Sequence, residues 1–187
     1  MTMPQQGGLT PPVDDDDHTA GPDDAPVTLV EYGDYQCPYT RRAEPAVEAV
    51  RRRLGHQLRY VFRQFPLEQL HALARGAAEA AEAAGVQGRF WPMHAALMGD
   101  PEALAAEDLV AHAREIGLDV DRFRGELADR THAPAVDADL RGGLDSGVPG
   151  TPAFFINGRL HQGPVDERAL GEALIDAAER RVRSAER

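Results

Sequence analysis

Cys37 is the only cysteine in the chain, and it stands in the run EYGDYQCPYT, Glu31 to Thr40. Cys-Pro-Tyr would ordinarily introduce a second cysteine and complete a dithiol redox pair. Position 40 holds threonine instead. A thiolate is a nucleophile toward disulfides, and Cys-X-X-Cys sites use the second sulfur to release what the first has captured. Here the nucleophile is kept and the internal resolving group is replaced by a hydroxyl. One cysteine also excludes an internal disulfide framework and fits a reducing compartment, where a free thiol persists.

The elements that must hold this sulfur can be read around it. Val27 to Tyr32, VTLVEY, is short and rich in β-branched and aromatic residues, and Gly33-Asp34 ends it, so it reads as a buried strand. Pro38 suits the first turn of a helix, where its missing N–H costs nothing. Ala43, Val47, Val50 and Leu54 then recur at helical spacing until Gly55. Cys37 therefore falls where a strand gives way to a helix N-terminus. Free backbone N–H groups and the positive end of the helix dipole favour the thiolate there. Thr40, three residues on, is placed to turn its hydroxyl toward the sulfur. The competing reading is a buried structural cysteine, and the flanking Gln36, Pro38 and Tyr39 at a strand end weigh against it.

Further along, Leu58 to Phe62 is a second strand, and Leu70 to Gly147 is a long helical block. VPGTPAFFING is a turn followed by an apolar strand, Ala153 to Ile156. Asn157-Gly158 marks a hairpin, RLHQ is the returning strand, and Val165 to Arg183 closes the chain as a helix. The order is strand, helix, strand, helical block, hairpin, helix.

The 187 residues suit one domain with a proper core. Net charge is −11, and six aspartates before Val27 leave about −5 for the rest, a surface that disfavours nucleic acid. All cationic side chains other than histidine are arginine, which excludes lysine nucleophiles and Schiff bases. No apolar run is long enough for a membrane span. The N-terminal MTMPQQGGLTPPVDDDDH has neither a basic region nor an apolar one, so a cytoplasmic location is expected. Residues 1–24 read as a disordered or extended acidic arm, and 25–187 as the domain.

EYGDYQCPYT and GVPGTPAFFING together resemble the DsbA-like branch of the thioredoxin fold. The likeness runs from about Pro12 to Leu174 and takes in YVFRQFPL and QGRFWPMH. It implies an α/β thioredoxin fold with an inserted helical subdomain at about 68–147. It also implies roles. Cys37 matches the attacking cysteine, and Pro38 and Tyr39 match the dipeptide that tunes it. Thr151-Pro152 matches the cis-proline loop, where the residue before the proline pairs with an extended substrate. Glu31 matches a buried carboxylate that some relatives use in proton transfer, and burial on a central strand should raise its pKa. An exposed strand-end glutamate is the other reading.

Thr40 departs from the family pattern and implies exchange through one sulfur, with protein or small-molecule thiols and disulfides as partners. No metal or organic cofactor is implied; a small thiol such as glutathione is the co-substrate. Three other readings stay open: a glutathione-transferase-like enzyme or isomerase on small molecules, a peroxide-sensing thiol, and a non-catalytic peptide-binding module. His56, His71, His94, His112, His132 and His161 lack metal-ligand spacing; His71 and His94 read as structural. Phe90-Trp91 is expected to anchor the helical subdomain on the core.

Overall fold

The structure, a computed structural model, describes residues 8–185. Five strands form one mixed sheet: β1 (His18–Ala20), β2 (Val27–Gly33), β3 (Leu58–Gln64), β4 (Ala153–Ile156) and β5 (Arg159–Leu160). Their order is β1-β3-β2-β4-β5, with only the β2–β3 pair parallel. That parallel pair requires a crossover, supplied by α1 (Pro38–Leu54) and a short 3-10 turn, Gly55–Gln57. Helices α2 (Ala74–Gly85), α3 (Phe90–Gly99), α4 (Ala106–Glu115), α5 (Val120–Ala128) and α6 (Ala133–Asp145) sit between β3 and β4. The chain then closes with α7 (Glu167–Ala185).

Both faces of the sheet are covered, which is why VTLVEY is apolar nearly throughout rather than alternating. Val27, Leu29, Tyr60, Phe62, Phe154 and Ile156 pack into the larger core with α1, α7 and the helical insertion. Val30, Tyr32, Val61, Ala153 and Phe155 face the other way, onto Leu9, Val13 and Leu140. Glu31 shares its pleat face with Leu29 and so points into the larger core.

The N-terminal segment departs from expectation. Residues 1–7 of the acidic arm lie outside the described residues. From Gly8 onward the arm belongs to the domain, and His18–Ala20 forms β1, antiparallel to β3. Three residues with one histidine and one alanine carry too little pattern to announce a strand. Tertiary contacts fix it instead. Trp91 Nε1 donates to Thr19 O at 3.0 Å, His18 stacks on Phe90 with centroids 3.6 Å apart, and His18 Nε2 meets Glu82 Oε2 at 2.7 Å. Phe90 and Trp91 thus anchor the helical insertion to the sheet edge.

Arg63 on β3 holds the preceding stretch. Its guanidinium donates to both Asp17 carboxylate oxygens at 2.7 and 2.8 Å, to the carbonyls of Pro11 and Pro12, and to Tyr32 Oη. All five N–H donors are used, with the Arg63 and Asp17 side chains only 3% and 5% exposed. Replacing Arg63 by methionine strands a buried carboxylate. Urea unfolding should show a loss of about 3–5 kcal/mol, with residues 8–17 becoming open to limited proteolysis.

Candidate functional site

Cys37 is the N-cap residue of α1, with extended backbone angles and Pro38 in the first turn. Its N–H is shared between Asp34 O at 3.0 Å and Asp34 Oδ1 at 3.1 Å. The thiol is free and only 3% exposed. Its sulfur donates to the carbonyl of Thr151, 3.4 Å away and 114 positions on. The Thr151–Pro152 peptide is cis. The structure therefore brings Cys37, Pro38, Thr151 and Pro152 to one place, at the end of β2 and the start of β4. Tyr39 points outward, 62% exposed, with the Arg42 guanidinium 5.5 Å from its ring centre.

Thr40 is arranged differently from the expectation. Its hydroxyl bonds the backbone N–H of Asp34, 3.3 Å away, rather than the sulfur. The residue is fully buried, and its methyl lies where Gly33 leaves room: a Cβ on Gly33 would stand 3.2 Å from Thr40 Cγ2 and overlap the Phe62 ring. Position 40 falls in the first turn, where a hydroxyl can satisfy a nearby backbone donor. That local demand wins over the sulfur. Thr40 packs and pins the loop that carries Cys37.

Glu31 is completely buried, and Tyr60 Oη donates to its Oε2 at 2.8 Å. Burial, reinforced by the nearby Glu44 carboxylate, pushes the Glu31 carboxyl up to about 8. Glu44, on α1, is itself pushed up to about 7 by burial and by Glu48. Next to them His94 is held down at about 3, chiefly by burial. It is therefore neutral, and its 3.9 Å approach to Glu44 Oε1 is dipolar rather than an ion pair. Among the described residues Glu31 Oε1, Glu44 Oε2 and His94 Nε2 are buried without hydrogen-bond partners. The second carboxylate had no signal in the sequence beyond its place one turn past Thr40. His94 keeps a core role, against Tyr35 Oη at 3.1 Å.

A carboxyl whose folded pKa is raised adds stability that is full below its unfolded value and is lost as pH rises through the folded one. For Glu31 that window runs from about 4.5 to about 8. Glu31→Gln keeps an acceptor for Tyr60 and removes the charge. The variant should show a flatter fall in stability across that window and exceed the natural chain at its upper end by a few kcal/mol, at about 1.4 kcal/mol per pKa unit. Chemical denaturation over a pH series measures this.

Asp34 does more than end a strand, and no local pattern in the sequence marks it. It is 2% exposed and accepts from the amides of Gln36 and Leu67 as well as that of Cys37. Its other partner is His71 Nδ1, at 2.8 Å. Among the described residues no cluster of three or more His, Cys, Asp or Glu side chains is placed to hold a metal, and no helix is long and apolar enough to cross a membrane.

Comparison with known proteins agrees with this geometry. A thioredoxin family model matches residues 14–177. A thioredoxin-like oxidoreductase from Silicibacter pomeroyi DSS-3 superimposes with a TM-score of 0.73 at 32% identity, over 89% of this chain and 92% of that one. Oxidised BdbD from Bacillus subtilis gives a TM-score of 0.82 at 21% identity, over 92% and 97% of the two chains. Among curated sequences, Na(+)/H(+) antiporter NhaA 1 of Salinispora arenicola is 49% identical over 170 residues, which is 90% of this chain and 26% of the antiporter. The chain thus spans about a quarter of the length of the curated relatives it matches. With a cysteine capping α1 against a cis-proline loop and five helices inserted in the sheet, the chain belongs to the thioredoxin family and has the DsbA-like fold of its thiol–disulfide oxidoreductases.

Proposed function

We propose that the protein carries out thiol–disulfide exchange through Cys37 alone. The observation that carries this reading is the placement of a free sulfur at the N-cap of α1, 3.4 Å from the carbonyl of the residue before the cis-proline. The Cys37 thiolate attacks one sulfur of a disulfide. A Cys37–substrate disulfide forms, and the other substrate sulfur leaves as a thiolate that takes up a proton. An outside thiol, deprotonated, then attacks the mixed disulfide, forms a new disulfide with the substrate sulfur and returns Cys37 as thiolate. One disulfide enters and one leaves, so electrons balance without an internal partner. Thr40 holds the loop, Pro38 and Tyr39 border the sulfur, and the backbone of Thr151 pairs with the extended substrate. Glu31 takes up and returns a proton beneath the loop. Glutathione or an equivalent small thiol is the resolving co-substrate, and a reducing cytoplasm would supply it.

A turnover assay with a fluorescent mixed disulfide tests the cycle. Turnover should rise with small-thiol concentration from essentially zero. Turnover independent of added thiol overturns the single-sulfur cycle; none at saturating thiol overturns it too and favours the peptide-binding reading. Cell fractionation of the endogenous protein checks the compartment.

The relatives also suggest a partner. At 49% identity over nine-tenths of this chain but only a quarter of the antiporter's length, the match suggests a redox domain that works beside a sodium–proton antiporter. Without a resolving cysteine, Cys37 should retain captured clients. Acid-quenched, alkylated cells should therefore yield antiporter peptides disulfide-linked to Cys37; their absence while other clients are trapped refutes that partnership.

A further inference from the structure

Asp34 uses one carboxylate to join two segments. Oδ1 accepts from the N–H groups of Gln36 and Cys37 at 2.8 and 3.1 Å. Oδ2 accepts from Leu67 N at 2.9 Å and from His71 Nδ1 at 2.8 Å. The second pair lies in the irregular linker between β3 and α2, which is tied to the same loop again by Leu73 N on Gln36 Oε1 at 2.7 Å. The carboxylate is buried, while 18% of the His71 side chain is exposed to solvent. A negative charge bonded to the N–H of Cys37 disfavours a second negative charge on that residue's sulfur. An imidazolium on the far oxygen offsets it.

We propose that His71 is a positioning residue for Cys37: protonated and paired with Asp34, it offsets the charge of that carboxylate and keeps the sulfur reactive in the acid range. This rests on the exchange reading above and adds to it a pH-dependent regulator outside the motif that holds the sulfur. The neighbouring charges are otherwise engaged. Glu68 on the linker pairs with Arg75 of α2 at 3.2 Å. Asp139 of α6 accepts from Gln64 N at 2.7 Å, and Glu31 is held by Tyr60. Arg42 lies over Tyr39 on the α1 side. Asp139 is itself pushed up to about 7 by burial, so its variant is the control.

The experiment is the rate of iodoacetamide alkylation of Cys37 in the folded protein at about pH 6 and about pH 9, with thermal melting of each variant. His71→Asn keeps a neutral donor where Nδ1 stood. It should lower the ratio of the pH 6 rate to the pH 9 rate by about three- to tenfold, while the pH 9 rate stays near that of the natural chain. Asp34→Asn should move the ratio the other way; should it fail to fold, His71→Asn decides alone. Asp139→Asn should leave the ratio in place. An unchanged ratio in His71→Asn, an equal fall at both pH values, or the same fall in Asp139→Asn overturns the role of His71 and leaves the exchange reading standing. A Cys37 in the natural chain that alkylates only after unfolding overturns both.

Discussion

Cys37→Ser is expected to abolish covalent capture of disulfides, lowering exchange by at least about three orders of magnitude, as loss of a nucleophile does. Serine nearly matches the thiol in shape and can donate to Thr151 O as the sulfur now does, so the fold should survive. Cys37 is also the only sulfur able to exchange, because the chain has no other cysteine. Residual activity cannot then be attributed to a neighbouring thiol. Mixed-disulfide formation followed by intact mass, with melting as the folding control, measures both parts. A folded serine variant that exchanged at the natural rate would end the catalytic assignment.

The second large effect is expected from Thr40→Cys. Position 40 lies in the first turn of α1, three residues past the N-cap cysteine, the spacing of a dithiol pair. A sulfur there attacks a Cys37 mixed disulfide intramolecularly, at an effective concentration far above that of a free small thiol. In a single round without added thiol, release of the captured sulfur should be at least about ten times faster, leaving a disulfide between Cys37 and the new sulfur, so that the oxidised variant is two hydrogens lighter. There is a cost. The Thr40 hydroxyl bonds Asp34 N in a fully buried setting, and a thiol is the weaker acceptor, so stability should fall by about 1 kcal/mol. A folded variant that released the captured sulfur only when outside thiol was added would mean that Thr40 is not what removed self-resolution.

Much of this site is legible in the sequence, because local chemistry sets it. The strand into Cys37, the proline in the first helical turn and the Thr-Pro ahead of an apolar strand each follow from short-range rules, and they meet in space as the resemblance implied. What could not be read depends on partners distant in sequence. β1 exists because Trp91, Phe90 and Glu82 hold it, and three residues of strand have no periodicity to betray that. The acidic stretch reads as a disordered or extended arm, yet Asp17 is the buried counter-ion of Arg63. Spacing from Cys37 points the Thr40 hydroxyl toward the sulfur, but it accepts from the backbone N–H of Asp34 instead, a partner that the folded loop supplies. Asp34 and His71 stand 37 positions apart, so neither sequence neighbourhood announces their pairing.

On the proposed reading, the folded chain holds one reactive sulfur that captures a disulfide and waits for an outside thiol. Its most direct test is the intact mass of the native protein after incubation with glutathione disulfide, then after addition of reduced glutathione. A single adduct per chain is expected on Cys37, formed in the folded state and removed by the added thiol. An adduct that forms only once the chain is unfolded in urea would contradict it.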